Sequence, residues 1–287
     1  MTGSSKLGQT GQSGTTRRKF VIWTVLLLVT VIQVFPFYWM LSFSLKSNTD
    51  IYGGNIAGIP AVFHWENYVK ALTTGHIGTY LINSLIVTVV AILVSDLLAC
   101  MSSYAMIRMK WRGSKSALMF FLIGYMIPMH ATLLPLMLIL RNMSMLNTRL
   151  ALILPYIAFA LPFAIFLLTG FVSDIPKELE EAACIDGCSI YRLFFSIIVP
   201  LLKPAIATIS IFTYLTCWND LLYSMTFVNA DALKTLTYGI MTFEGQYAVD
   251  WGTMGAGLVI ATVPTVIMYL AFSKDMQKGL MAGAVKG

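Results

Sequence analysis

The sequence predicts an all-α polytopic membrane protein with six transmembrane helices, and three observations carry that prediction. Hydrophobic residues make up 57% of the 287 positions, charged residues 11%, and the mean hydropathy is +0.77, so hydrocarbon is the main solvent of this chain. Six apolar runs, near 20–45, 81–106, 116–140, 150–172, 203–226 and 253–273, each approach the ~20 residues that a helix needs to cross a core ~30 Å thick. The basic residues alternate between the inter-run segments: Lys6, Arg17, Arg18 and Lys19 before the first run, Arg108, Lys110, Arg112 and Lys115 between the second and third. Lys177, Arg192 and Lys203 follow the fourth run, and Lys274, Lys278 and Lys286 follow the sixth. Because Lys and Arg are retained on the cytoplasmic side, both termini are expected to be cytoplasmic. The net charge of +6 is thereby a topological signal and gives no support to nucleic-acid binding, which needs basic residues on a soluble surface.

Residues 1–19 are rich in Gly, Ser and Thr and end in Arg17-Arg18-Lys19; they are expected to form a disordered cytoplasmic tail, too polar to build a core. Residues 20–45 form the first transmembrane helix, far longer than the ~7–15 apolar residues of a cleavable signal peptide. Phe37, Tyr38 and Trp39 suit the aromatic belt at its outer end. Residues 46–80 are an extracytoplasmic segment, carrying Gly53-Gly54, Pro60 and Phe63-His64-Trp65-Glu66-Asn67-Tyr68, too short for a separate domain. The core is expected over 81–273 and a cytoplasmic tail over 274–287. Cys100 and Cys217 fall in apolar runs, and Cys184 and Cys188 in a loop on the reducing side. The i, i+4 spacing of the last two lacks companion ligands, so they read as packing residues and no metal is expected. Met126, Met129, Met137, Met143 and Met145 read as adaptable packing.

The loop over 173–203 is the most informative segment. Pro176 suits a first helical turn, Ser173 or Asp174 can cap it, and Glu178, Glu180 and Glu181 crowd the end where the helix dipole favours anions. Leu179, Ala182 and Ala183 share one face. Asp186-Gly187 stops the helix, because glycine accepts a left-handed conformation at low cost. A second short helix is expected over about 189–198, ahead of Pro200 and Pro204. A helix resting on the membrane surface would carry a basic, bulky apolar face. This one is acidic with alanines, which favours docking by a partner whose groups approach closely over small side chains.

Glu181-Ala182-Ala183-Cys184-Ile185-Asp186-Gly187 resembles the EAA loop of bacterial ABC-importer permeases. Asn83-Ser84, Tyr104-Ala105, the loop from Glu181 to Pro204, Trp218-Asn219-Asp220 and the terminus Gly279-Leu280-Met281-Ala282-Gly283-Ala284-Val285-Lys286-Gly287 narrow the resemblance to carbohydrate-uptake permeases of the maltose-transporter type. It covers about residues 63–287 and departs from the family pattern at Cys184 and Cys188. The resemblance implies the type I importer transmembrane fold and an ATPase-coupling surface at Glu181, Ala182, Ala183, Asp186 and Gly187. It further implies an ATPase-contacting tail that includes Gly279, Gly283, Lys286 and Gly287. The implied partners are a second homologous permease, two ABC ATPase subunits, an extracytoplasmic solute-binding protein, a sugar and membrane lipid, in a bacterial inner membrane. No Gly-x-x-x-x-Gly-Lys-Ser/Thr loop occurs in the chain, so ATP and Mg are expected on the partner ATPase, with no cofactor bound here.

Two carboxylates, Asp96 and Asp220, fall within apolar runs, where each costs ~2.5–3.5 kcal/mol on insertion scales and is not expected to face lipid. Trp218, Asn219 and Asp220 could line a sugar path, since aromatic faces and polar groups match the two kinds of surface on a sugar. Helix-to-helix hydrogen bonding is the competing role for Asp220, and Asp96 is expected to pair with a neighbour. His130, between Pro128 and Pro135, reads as the neighbour of a helix kink. An intramembrane enzyme would need paired reacting groups, and neither His-Glu-x-x-His nor Gly-x-Ser-x-Gly is present. A glycerol phosphate path calls for intramembrane Arg or Lys and a polyamine path for several acids; a sugar fits these runs better.

Overall fold

The computed structural model of the chain describes residues 11–109, 111–243 and 249–284. The helices are, in order, α1 (Gly11–Ser44), α2 (Asn48–Tyr52), α3 (Glu66–Leu72), α4 (Ile77–Arg108), α5 (Ser114–Tyr125), α6 (Leu133–Asn142) and α7 (Leu150–Asp174). They continue as α8 (Lys177–Ile185), α9 (Ile190–Leu193), α10 (Val199–Leu201), α11 (Lys203–Asn219), α12 (Leu222–Phe227), α13 (Leu236–Met241) and α14 (Trp251–Ala284). Four described helices, α1, α4, α7 and α14, contain continuous stretches long and apolar enough to cross a membrane. Two bent pairs raise the number to six if each counts as one span.

Two of the six runs are bent. The third run folds as α5 and, after a 3₁₀ turn over Met129–Thr132, α6, with 91° between the two arms. Pro128 causes the break: it lacks an N–H, and it pushes the residue before it out of the α region. The fifth run is helical from Lys203 to Asn219 and again from Leu222 as α12, interrupted at Asp220, which is extended (φ −71°, ψ 129°), and α11 meets the helix over 190–201 at 74°. Among the described residues, helix reaches into both segments expected as tails. Helix α1 begins at Gly11, inside the tail drawn at 1–19, and α14 runs to Ala284. Propagating a helix outward from a formed span costs far less than nucleating one.

Helix α4 packs along α7; Ala91, Ser95, Ala99 and Ser103 are fully buried on α4 at four-residue intervals, and Ser103 Oγ donates to the Ile165 carbonyl of α7 at 3.4 Å. Small side chains at i, i+4 spacing let two backbones approach closely in an apolar medium, where helices associate by packing. Around this contact lie two apolar clusters. One, at the end nearer the 173–203 loop, includes Ile165, Leu168, Val172, Leu193, Ile198 and Ile209. The other, toward the opposite end, includes Leu140, Leu152, Tyr156, Tyr223 and Phe227. Asp96 accepts a 2.5 Å hydrogen bond from Ser210 Oγ, so this carboxylate joins α4 to α11 as the pairing expectation held.

The 46–80 segment is pinned to the bundle rather than folded separately. Lys46 is buried and donates to the carbonyls of Asn55 (2.7 Å) and Ile56 (3.1 Å); burial holds its ammonium below the ordinary lysine value, with Asp50 opposing the shift. Asn67 Nδ2 donates to the carbonyls of Ser44 and Lys46, each at 2.9 Å. Helix α14 meets this knot at Gly252, where a Cβ would lie 2.5 Å from both Asn67 Nδ2 and the Lys46 carbonyl oxygen. Gly252→Ala is therefore expected to lower stability by about 1–3 kcal/mol, the usual cost of overpacking, read as an earlier thermal transition in mild detergent. An unchanged transition would show that α14 is not held this closely.

Asn83 and Ser84 organise the same end. Asn83 Oδ1 accepts from Arg149 Nη2 (2.8 Å), its Nδ2 donates to the carbonyls of Ala232 (2.8 Å) and Lys234 (3.0 Å), and Ser84 Oγ accepts from the Leu236 N–H (2.8 Å). One polar pair at the start of α4 thus holds the connection between α12 and α13.

Candidate functional site

The 173–203 loop forms the helix its sequence predicts, with a different start. Ser173 and Asp174 belong to α7, and Ser173 Oγ bonds back to the Thr169 carbonyl at 2.8 Å. Ile175 is extended, and Pro176 holds the N-cap position of α8 without a side-chain cap. The fixed φ of proline suits that entry. The stop is as expected: Gly187 adopts φ +72°, the Asp186 N–H reaches the Ala182 carbonyl at 3.0 Å, and the Cys188 N–H reaches the Ala183 carbonyl at 2.9 Å. These bonds satisfy the last carbonyls of α8. Beyond the turn, α9 leads through a π-helical stretch, Phe194–Ile198, into α10.

The five expected coupling residues divide between two faces of α8. Glu181, Ala182, Asp186 and Gly187 are exposed. Ala183 is buried in the apolar cluster beneath the helix, which corrects the expectation that Ala182 and Ala183 together meet a partner. Helical periodicity puts residues three apart on one side, so Glu180 and Ala183 both turn toward the spans. Leu179 is exposed, and Ile185 is 86% exposed, with Ile190 and Tyr191 also exposed on the next turn. Apolar side chains grouped on a projecting surface mark a contact site. Ile185 was legible as the one large apolar residue within Cys184-Ile185-Asp186-Gly187.

Sequence reasoning missed how α8 is attached. Arg108, counted only as a topological charge, is 8% exposed in its side chain, and its Nε lies 2.9 Å from Glu180 Oε1, whose side chain is 17% exposed. Arg108 Nη2 also donates to the carbonyls of Val172 (2.8 Å) and Ile175. Tyr104 Oη donates to Glu180 Oε2 at 3.2 Å, and its ring lies 5.5 Å from that of Phe194.

The Trp218-Asn219-Asp220 set also divides. Trp218 is buried, stacked on Tyr214 at 5.2 Å, and donates from Nε1 to the Ala261 carbonyl at 3.2 Å. The Asp220 side chain is 2% exposed. It accepts from Tyr156 Oη (2.8 Å) and the Tyr223 N–H (3.0 Å), and lies 3.1 Å from Nε2 of His130, a side chain 55% exposed. His130 is thus both the neighbour of the kink and the link from the broken third span to α11. Asn219 is exposed, its amide bonded to the Leu215 carbonyl at 2.9 Å. It lines a groove of about 340 Å³ with His130, Thr216 and Asp220. Thr216 also lines an adjoining groove of about 180 Å³ walled by Tyr125, Phe159, Phe163 and Phe212. Polar groups and aromatic faces meet along that line.

Of the expected tail residues, Gly279 and Gly283 lie on the helical backbone of α14, while Lys286 and Gly287 lie outside the described residues.

Residues 97–274 match the family described as binding-protein-dependent transport system inner membrane component. The chain is 36% identical to the diacetylchitobiose uptake system permease protein DasC of Streptomyces coelicolor, over 88% of this chain and 92% of that protein. It is 33% identical to the trehalose transport system permease protein SugB of Mycobacterium tuberculosis, over 94% of this chain and 99% of that one. Among solved structures, a chain of a bacterial ABC transporter involved in the import of the acidic polysaccharide alginate superposes with a TM-score of 0.79 over 94% of this chain and 99% of that chain, at 20% identity. That likeness concerns the fold. With an all-helical fold, a broken third span and a projecting helix between its fourth and fifth spans, the chain belongs to the binding-protein-dependent transport system inner membrane components, the ABC-importer permeases.

Proposed function

We propose that this permease forms half of the translocation path for a sugar or oligosaccharide and couples it to ATP hydrolysis through the exposed face of α8. The observation that carries the coupling assignment is the projection of Glu181, Ala182, Ile185, Asp186 and Gly187 from a helix whose opposite face is held in the core. Two ATPase subunits supply the nucleotide and Mg chemistry; this chain supplies the surface they grip. A second, related permease completes the path, and an extracytoplasmic binding protein delivers the solute. Both termini face the cytoplasm. The end of α14, with Gly279 and Gly283, and the following Lys286 and Gly287 add to the ATPase contact. Alternating access requires only that the nucleotide-bound ATPase favour one arrangement of the two bundles over the other.

For the solute, the sugar reading is supported by the two named relatives and by the lining of the two grooves. Asn219, Thr216 and His130 offer hydrogen-bonding groups beside the faces of Tyr125 and Phe212, the pairing that suits a ring with hydroxyls at its edge and C–H groups on its face. Asp220, almost wholly buried at the floor of the groove, and Trp218 behind it hold this line in place.

The test is purification of the tagged chain from native membranes in mild detergent, mass spectrometry of what remains bound, and reconstitution with those proteins for uptake of labelled disaccharides. A P-loop ATPase, a second permease and ATP-dependent disaccharide uptake are the expected result. An assembly that hydrolyses ATP in response to glycerol phosphate or a polyamine, and to no sugar, would replace the solute assignment.

A further inference from the structure

For α8 to act in coupling, movement of one short helix must reach the spans. A nine-residue helix can move its bundle only if its attachment is stiffer than the load. At its N-terminal end α8 has no side-chain cap. It enters from α7 through Ile175 and Pro176, two extended residues that act as a hinge unless something closes it.

We infer that Arg108, Glu180 and Tyr104 are the joint that closes this hinge and carries displacement of α8 to α4 and α7 during coupling, an inference that rests on the docking role proposed for α8. Arg108 sits in the last turn of α4. Its guanidinium serves two elements at once: Nη2 donates to the Val172 and Ile175 carbonyls at the end of α7, and Nε pairs with Glu180 of α8. The α7 carbonyls are the negative end of that helix's dipole, where a cation is favoured. Tyr104, one turn earlier on α4, donates to the other Glu180 oxygen. The carboxylate is therefore held from α4 by a hydrogen bond to one oxygen and an ion pair, close but not aligned as a hydrogen bond, to the other, and Ala183, one turn further along α8, is packed in the core. Two points of attachment on a single face prevent α8 from rolling independently of the spans.

The geometry also explains the residue types. A planar guanidinium with donors pointing in several directions can hold two carbonyls and a carboxylate together, while a lysine ammonium is a point charge on a flexible stem. Arg108→Lys keeps the charge and removes the fork. Glu180→Gln keeps the shape and removes the charge. Both side chains are largely buried, a setting in which removing one partner leaves the other charge uncompensated. Tyr104→Phe removes a single bond and leaves the ion pair.

The experiment uses the reconstituted transporter with its ATPase, second permease and binding protein. Three quantities are read for the unsubstituted protein and for Arg108→Lys, Glu180→Gln and Tyr104→Phe. They are ATP hydrolysis with and without solute-loaded binding protein, solute uptake, and protection of Cys184 from a water-soluble maleimide by the ATPase, in a Cys188→Ser background. Cys184 is exposed on α8 and reports docking directly. In Arg108→Lys and Glu180→Gln, Cys184 stays protected while the ratio of stimulated to basal hydrolysis falls by about tenfold, within the usual range of coupling between sites, and uptake falls with it. Tyr104→Phe shows a smaller loss of the same kind. Protected Cys184 with an unchanged ratio in the first two variants overturns the joint. Loss of protection in them also overturns it, because the triad would then support docking rather than transmission. If the ATPase fails to protect Cys184 in the unsubstituted assembly, the docking role of α8 is what fails. Should Arg108→Lys not reach the membrane, Glu180→Gln and Tyr104→Phe carry the same readings.

Discussion

Gly187→Pro is expected to abolish solute-stimulated ATP hydrolysis in the assembled transporter while leaving the chain inserted. Gly187 sits at φ +72°, and its N–H donates to the Cys184 carbonyl at 3.0 Å. Proline is locked near φ −65° and has no N–H, so the turn that ends α8 cannot form around it. The cost is about 3 kcal/mol or more, which a nine-residue helix with little stability of its own cannot absorb. The exposed face of Glu181, Ala182 and Ile185 loses its shape, whereas the spans, held by contacts elsewhere, do not. Gly187→Ala, strained by about 1–2 kcal/mol at a left-handed position, should be partly active. Glu181→Lys reverses the charge on the docking face without disturbing α8 and is expected to give the same loss as Gly187→Pro. Measuring hydrolysis with and without loaded binding protein, alongside membrane insertion, decides the matter. Normal stimulation in both Glu181→Lys and Gly187→Pro would remove the docking assignment.

The second large effect separates two neighbours. Asp220→Ala removes the acceptor for the buried Tyr156 hydroxyl and the Tyr223 N–H and releases His130. An orphaned buried donor costs about 1–3 kcal/mol, so the loss is about 2–6 kcal/mol for the pair. It should appear as a clearly lowered thermal transition in detergent, with uptake falling in proportion to folded protein. Asn219→Ala touches an exposed amide bonded only to its own helix. It is expected to leave the transition in place and to weaken uptake by raising the solute concentration needed for half-maximal rate. The opposite pattern, an unmoved transition in Asp220→Ala with uptake lost, would place Asp220 in contact with solute.

Much of this was readable from short-range patterns. Six apolar runs, the Lys and Arg alternation, and the acidic helix stopped by Asp186-Gly187 are properties of residues within a turn or two of one another, and hydropathy and backbone sterics act at that range. The helix over Lys177–Ile185 formed within a few residues of its expected start and at its expected stop. What misled was also local. Ser173 and Asp174 have the chemistry of caps, but the favourable continuation of α7 took them in. The 116–140 run has the length and hydropathy of one span, yet Pro128 divides it.

The sequence by itself determined that the chain lives in a membrane, how many apolar runs it has to bury, and which loop projects from them, because composition and periodicity set the solvent each segment prefers. Only the tertiary structure decided which face of α8 is free, that Arg108 locks Glu180 to the ends of two spans, and that Asp220 is braced by His130 and Tyr156. Those roles depend on groups far apart in the chain, 64 residues for Arg108 and Val172 and 90 for His130 and Asp220. A charge or a carboxylate in an apolar chain must find a partner. The residue type announces the need, and only the packing of the helices brings the partner within reach.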